Sequence, residues 1–121
     1  MLVVDDSPLM LRAAQVGLDR LSGWRVSTAA SGREGIALAT AARPDAILLD
    51  VVMPELDGPG TLHALGELAA TRDIPVVFLT AASGESDRAR LIELGAAGVI
   101  AKPFEPPRLG NQLSEVLGWS S

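Results

Sequence analysis

Five residues of this 121-residue chain have the types and the placing to do chemistry together: the adjacent pair Asp5 and Asp6, then Asp50, Thr80 and Lys102. Each ends a short apolar run: "LVV" before the aspartate pair, "AILL" before Asp50, "PVVFL" before Thr80 and "GVIA" before Lys102. Three carboxylates brought close together repel one another and raise each other's pKa unless a cation intervenes. A hard divalent ion answers that need, and Mg²⁺, which takes an octahedron of carboxylate, water and phosphate oxygens, suits a set that offers no His or Cys for zinc. Lys102 is the only lysine beside nine arginines. Where the chain needs a solvated cation it uses Arg, so the exception points to a compact charge on a flexible stem, able to contact a phosphoryl oxygen. A plainer reading, in which one aspartate caps the first helix beside Ser7, explains neither Asp50 nor Lys102.

The elements that must position these groups follow from periodicity. Residues 1–4, 24–29, 46–50, 75–80 and 98–101 are short β-branched or Leu-rich runs and read as strands. Between them apolar residues recur at helical spacing: Leu9, Ala13, Val16, Leu18 and Leu21; Ile36 and Ala39; Leu62, Leu65, Leu68 and Ala69; Leu91, Ile92 and Leu94. A fifth helix starts at Pro106 and carries Leu109, Leu113, Val116 and Leu117, weakened by Gly110. Ser7 before Pro8, Ser31 and Asp57 are N-cap residues, and Gly23 and Gly95 fall at helix ends. Strands with both faces apolar, alternating with helices, predict a parallel sheet covered on both sides. For five βα units the flavodoxin-like sandwich with strand order 2-1-3-4-5 is the economical arrangement. In that order the first, third, fourth and fifth strands are neighbours, and their carboxyl ends bring the five residues to one shallow pocket where such sheets bind ligands.

Length and 48% apolar content fit a single domain over 1–121. A net charge of -5 argues against direct nucleic-acid binding. With no cysteine there is no disulfide framework, and no run approaches the roughly 20 apolar residues of a membrane span, so a cytoplasmic, non-membrane protein is expected.

The set "VVDD" (3–6), "LLD" (48–50), "MPELDG" (53–58), "LTA" (79–81) and "AKPF" (101–104) resembles the receiver domain of bacterial two-component response regulators over essentially the whole chain. The resemblance implies that Asp50 accepts a phosphoryl group from a histidine kinase, a phosphotransfer protein or a small acyl phosphate. It also implies that Asp6 binds Mg²⁺ directly, Asp5 mainly through water, and Asp50 and the Val52 backbone carbonyl as well. Lys102 would pair with Asp50 or its phosphoryl oxygens, Thr80 would hydrogen-bond a phosphoryl oxygen, and the Lys102–Pro103 bond would be cis. Such a domain is a signalling switch and not an enzyme acting on an outside substrate. It meets a downstream protein, or a second copy of itself, through the face of the fourth helix, fifth strand and fifth helix.

Three departures bear on the switch. The family's aromatic residue three positions before the lysine is Val99 here, which has no ring to swing. Val52 and Ala82, two residues after Asp50 and Thr80, cannot hydrogen-bond a hydrolytic water, which predicts slow self-dephosphorylation. The first strand is short.

Two other readings compete. A phosphatase of the haloacid dehalogenase type would want Asp-x-Asp after the first strand, where this chain has adjacent aspartates. A pseudo-receiver, binding partners without phosphorylation, is opposed by intact Asp50, Thr80 and Lys102 and is kept open only by Val99. The initial methionine and the "GWSS" ending suggest a single-domain regulator, the alternative being a receiver cut from a longer one. His63, Trp24 and Trp119 read as surface or edge-packing residues, and Phe104 as packing under the Lys102 loop.

Overall fold

The structure is a computed structural model and describes residues 1–81 and 84–119. Its strands β1 (Leu2–Val4), β2 (Ser27–Ala29), β3 (Ile47–Asp50), β4 (Val76–Thr80) and β5 (Gly98–Ala101) form one parallel sheet in the order β2-β1-β3-β4-β5. The helices are α1 (Pro8–Gln15), α2 (Gly32–Ala42), α3 (Gly58–Glu67), α4 (Glu85–Glu93) and α5 (Pro106–Leu117). This is the flavodoxin-like sandwich that the alternation of runs predicts.

Strand residues alternate between two cores because successive side chains point to opposite faces. Leu2, Val4, Ile47, Leu49, Val76, Phe78 and Val99 pack with Ala39, Leu65 and Leu91 of α2, α3 and α4. Val3, Leu48, Val77, Leu79 and Ile100 face the other way, onto Ala14, Leu18, Leu109 and Leu113. Phe104 packs against this second core.

The helix starts follow the cap residues. The Ser7 hydroxyl accepts from the Met10 N–H at 3.3 Å with Pro8 opening α1. The Ser31 hydroxyl accepts from the Glu34 N–H at 3.1 Å, while the Glu34 carboxylate reaches back to the Ala30 N–H at 3.4 Å. Asp57 accepts from the Gly60 N–H at 2.8 Å, a helix cap as expected.

Three elements differ from the sequence expectation. The second strand is three residues rather than 24–29, because β1, with which it pairs, is three residues long and the register pairs Leu2 with Ser27. The N–H of Trp24 is instead taken by the Leu18 carbonyl at 2.9 Å. The first helix continues past Gln15 as a π-helical turn, Val16–Arg20, in which Leu21 N–H reaches the Val16 carbonyl at 3.2 Å. The turn lies where Gly17 meets α5: a Cβ there would stand 2.5 Å from the Pro106 carbonyl oxygen. Gly110, a weak helix former, is buried against Ser22 on that same seam, so it serves packing rather than interrupting α5. The third helix stops at Glu67, and Leu68, read as part of its apolar stripe, is extended and 40% exposed.

Candidate functional site

The carboxyl ends of the strands bring the five sequence-selected residues to one place. Asp50 is the last residue of β3, Thr80 the last of β4, and both are buried. Asp5 and Asp6 follow β1; Asp5 is buried and Asp6 exposed. One carboxylate oxygen from each of Asp5, Asp6 and Asp50 lies within 4.8 Å of the others. Among the described residues this is the one such group of potential metal ligands.

Local bonds fix each group. The Asp5 N–H donates to the Ala29 carbonyl at 3.1 Å, and its Oδ1 accepts from the Ser7 N–H at 2.9 Å, tying the carboxylate to the start of α1. The Lys102 N–H donates to the Thr80 carbonyl at 2.8 Å, which holds the lysine beside the end of β4; the Lys102–Pro103 bond is cis. The segment after β3 is pinned by Val51 N–H to Leu79 carbonyl at 3.3 Å and Gly58 N–H to Val51 carbonyl at 2.8 Å. Glu55 takes the left-handed conformation there, with φ of 65°. Gly58 lets α3 start directly against the end of β3, since a Cβ on it would lie 2.5 Å from the Asp50 carbonyl oxygen.

Lys102 Nζ donates to Asp50 Oδ1 at 3.0 Å and lies 3.2 Å from Asp5 Oδ2. Asp5 Oδ2 is buried and, despite that ion pair, makes no well-directed hydrogen bond. Burial raises the Asp50 carboxyl above its ordinary value; the hydrogen bond from Lys102 opposes this, and the charges of Asp5 and Asp6 add to it. Burial works against the Lys102 ammonium, but its bond to Asp50 and the charges of Asp5 and Asp50 outweigh that and hold it above its ordinary value. Three carboxylates against one ammonium leave the pocket net negative. An under-bonded buried oxygen within a set of only oxygen donors fits a hard divalent cation.

The remaining residues fall where their types suggest. Val52 lies in the β3–α3 segment and its side chain is 78% exposed. Ala82 lies outside the described residues. His63 sits on α3, exposed and 3.3 Å from the exposed Glu67, not in the pocket. Trp24 and Trp119 pack on each other with ring centres 5.5 Å apart. Sequence reasoning missed the second ion pair of Lys102, to Asp5, and the close approach of Gly58. "DG" before a helix signals a turn but not what lies behind it.

The comparisons with known proteins agree with this geometry. Residues 1–114 match the family model for the response regulator receiver domain. The transcriptional regulatory protein PrrA of Mycobacterium leprae is 48% identical over 103 residues, which are 85% of this chain and 43% of PrrA. The probable transcriptional regulator ycf27 of Porphyridium aerugineum is 38% identical over 96% of this chain and 47% of its own length. The chain thus spans less than half the length of these curated relatives. Among solved structures, the chemotaxis response regulator CheY4 of Vibrio cholerae superposes with a TM-score of 0.88 at 34% identity, covering 95% of both chains. A CheX-CheY-BeF3-Mg complex of Borrelia burgdorferi matches with a TM-score of 0.85 at 25% identity, over 96% of this chain and 87% of that one. With the acidic pocket at the ends of β1 and β3 and a family match over nearly its whole length, the chain belongs to the receiver domains of two-component response regulators.

Proposed function

We propose that Asp50 is the phosphoacceptor of a cytoplasmic, phosphorylation-dependent switch, with Asp5, Asp6, Asp50 and the Val52 carbonyl holding Mg²⁺. The observation that carries this reading is the Asp50 carboxylate at the end of β3, bonded to Lys102 at 3.0 Å and grouped with two more carboxylates. An Asp50 oxygen attacks phosphorus in line; the new O–P bond forms as the bond to the donor's leaving group, a kinase imidazole or a small carboxylate, breaks. Bound Mg²⁺ supplies positive charge against the phosphoryl oxygens and the crowded carboxylates. Lys102 moves from pairing with the carboxylate to pairing with a phosphoryl oxygen, where negative charge builds. The Thr80 hydroxyl, at the end of the neighbouring strand, donates to a second phosphoryl oxygen.

The donor is a sensor histidine kinase or a phosphotransfer protein. The output is a change in affinity for a downstream protein or a second copy at the α4–β5–α5 face, not direct contact with nucleic acid, which the net charge of -5 disfavours. The longer curated relatives are named as transcriptional regulators, and the switch proposed here is that of the receiver itself. Incubation with a small acyl phosphate, followed by intact mass, tests the reading. One phosphoryl group is expected, lost with chelator and lost in Asp50→Asn. Phosphoryl uptake by Asp50→Asn would overturn it.

A further inference from the structure

The α4–β5 side of the molecule is held differently from the rest of the sheet. Of the nine residues of α4, Leu91 alone is buried, and Ile92, the next apolar residue, is 51% exposed. Gly84 provides no side-chain cap for the helix. A polar contact bridges the gap: Arg88 Nη2 donates to the Val99 carbonyl oxygen at 3.2 Å. The contact crosses a groove of about 450 Å³ lined by Glu85, Arg88, Ile92, Val99 and Val116. Val99 has no ring to cover this strand, and a guanidinium reaches its backbone.

We propose that Arg88 latches α4 onto β5 and that phosphorylation at Asp50 releases the latch, a role resting on the reading of Asp50 given above. Val99 pairs with Phe78 of β4, two residues before Thr80, and lies three residues before Lys102. Lys102 is bound to Thr80 through its backbone at 2.8 Å and to Asp50 through its ammonium at 3.0 Å. A phosphoryl group that draws Lys102 and Thr80 towards itself therefore moves the ends of β5, to which the Val99 carbonyl belongs, and of β4, its pairing partner. At 3.2 Å the Arg88 bond is already at the long end of the normal range, so movement of the strand ends away from α4 weakens it. With little apolar burial to hold it, α4 then loosens, and the relay needs no ring.

Amide hydrogen exchange over residues 85–93 of the full chain tests this, with beryllium fluoride and Mg²⁺ as the phosphoryl mimic. In the unmodified protein the mimic should speed exchange there about tenfold, the factor that one charge-assisted hydrogen bond corresponds to. Arg88→Met, which keeps an apolar stem and removes the donors, should exchange as fast without the mimic and gain less than about twofold from it. Exchange in β3 and β4 should stay at its normal level in the variant, showing that the fold is intact. Wild-type protection of α4 in Arg88→Met overturns the latch. A loosened variant beside an unmodified protein that ignores the mimic overturns the release, and intact-mass phosphorylation of Asp50 then shows whether the reading of the site fails with it. A measurement needing no variant is the Val99 carbonyl ¹³C resonance of the unmodified chain. It should move upfield with the mimic, and an unmoved resonance contradicts the release.

Discussion

On the reading proposed above, β3 and α4 serve opposite sides of one task, and they are built to opposite standards. Every residue of β3 is buried; Ile47, Leu48 and Leu49 pair with both β1 and β4, and Asp50 pairs with Leu79 of β4, so Asp50 is presented from the centre of the sheet. In α4 one residue in nine is buried. Phosphoryl chemistry depends on charges fixed in advance, which the central strands supply. A responding element must be able to move for little free energy, and segments with few buried apolar contacts open most readily. The contrast teaches that the chemistry and its readout are separable: damage to one should leave the other measurable.

The sharpest break of the comparison falls on the chemical side. Asp50→Asn should abolish covalent phosphorylation, and Lys102→Ala should slow it by about 10²–10³-fold, the usual cost of one charge-stabilising donor. Both should leave the far-UV circular dichroism of the fold unchanged. Phosphorylation rates with an acyl phosphate measure the first point.

Next in size is Gly58→Ala. A methyl group there meets the Asp50 carbonyl and the Phe78 ring, so overpacking should cost about 1–3 kcal/mol in urea unfolding and misplace Asp50. Gly66→Ala, in the same helix with open space at its Cβ position, should do neither.

A smaller effect reads the charge crowding at the site. The Asp50 carboxyl is raised above its ordinary 3.8 by burial, with Lys102 only partly offsetting the neighbouring carboxylates. A carboxyl raised in the folded state favours folding fully below its unfolded pKa and less as pH climbs through the folded value. In chelator, the melting temperature of Asp50→Asn should therefore approach that of the unmodified chain as pH falls below 3.8 and exceed it at neutral pH. Added Mg²⁺ should narrow that gap by stabilising the unmodified chain. A gap that widens on acidification would contradict the sign.

The smallest effect concerns lifetime. Val52 is 78% exposed beside the site and offers no hydrogen bond to an attacking water. Val52→Asn should speed loss of the phosphoryl group by about tenfold, well short of the ~10²–10⁴ of a positioned general base. Decay of the unmodified phosphoprotein within seconds would contradict the expectation of slow turnover.

How much of this was legible in the sequence depended on how local the cause was. Ser7, Ser31 and Asp57 act on backbone groups three residues ahead, so their roles as caps can be read off spacing. The grouping of Asp5, Asp6, Asp50 and Lys102 was legible because parallel strands end on one side of the sheet, and order 2-1-3-4-5 makes those ends neighbours. The length of β2 was not, because it is set by β1, a partner more than 20 residues away. The π-helical turn answers to contact with α5, and Gly58 to the back of Asp50, both tertiary facts that a periodicity cannot carry. Arg88 offered no signal at all, being one of nine arginines until the fold set it over Val99.

The central claim is that Asp50, and not its acidic neighbours, takes the phosphoryl group. Borohydride reduction of the phosphorylated chain converts an aspartyl phosphate to homoserine, and peptide sequencing then locates it. The account predicts homoserine at position 50 alone and only when Mg²⁺ was present during phosphorylation. Homoserine at Asp5 or Asp6, or at Asp50 without metal, would contradict it.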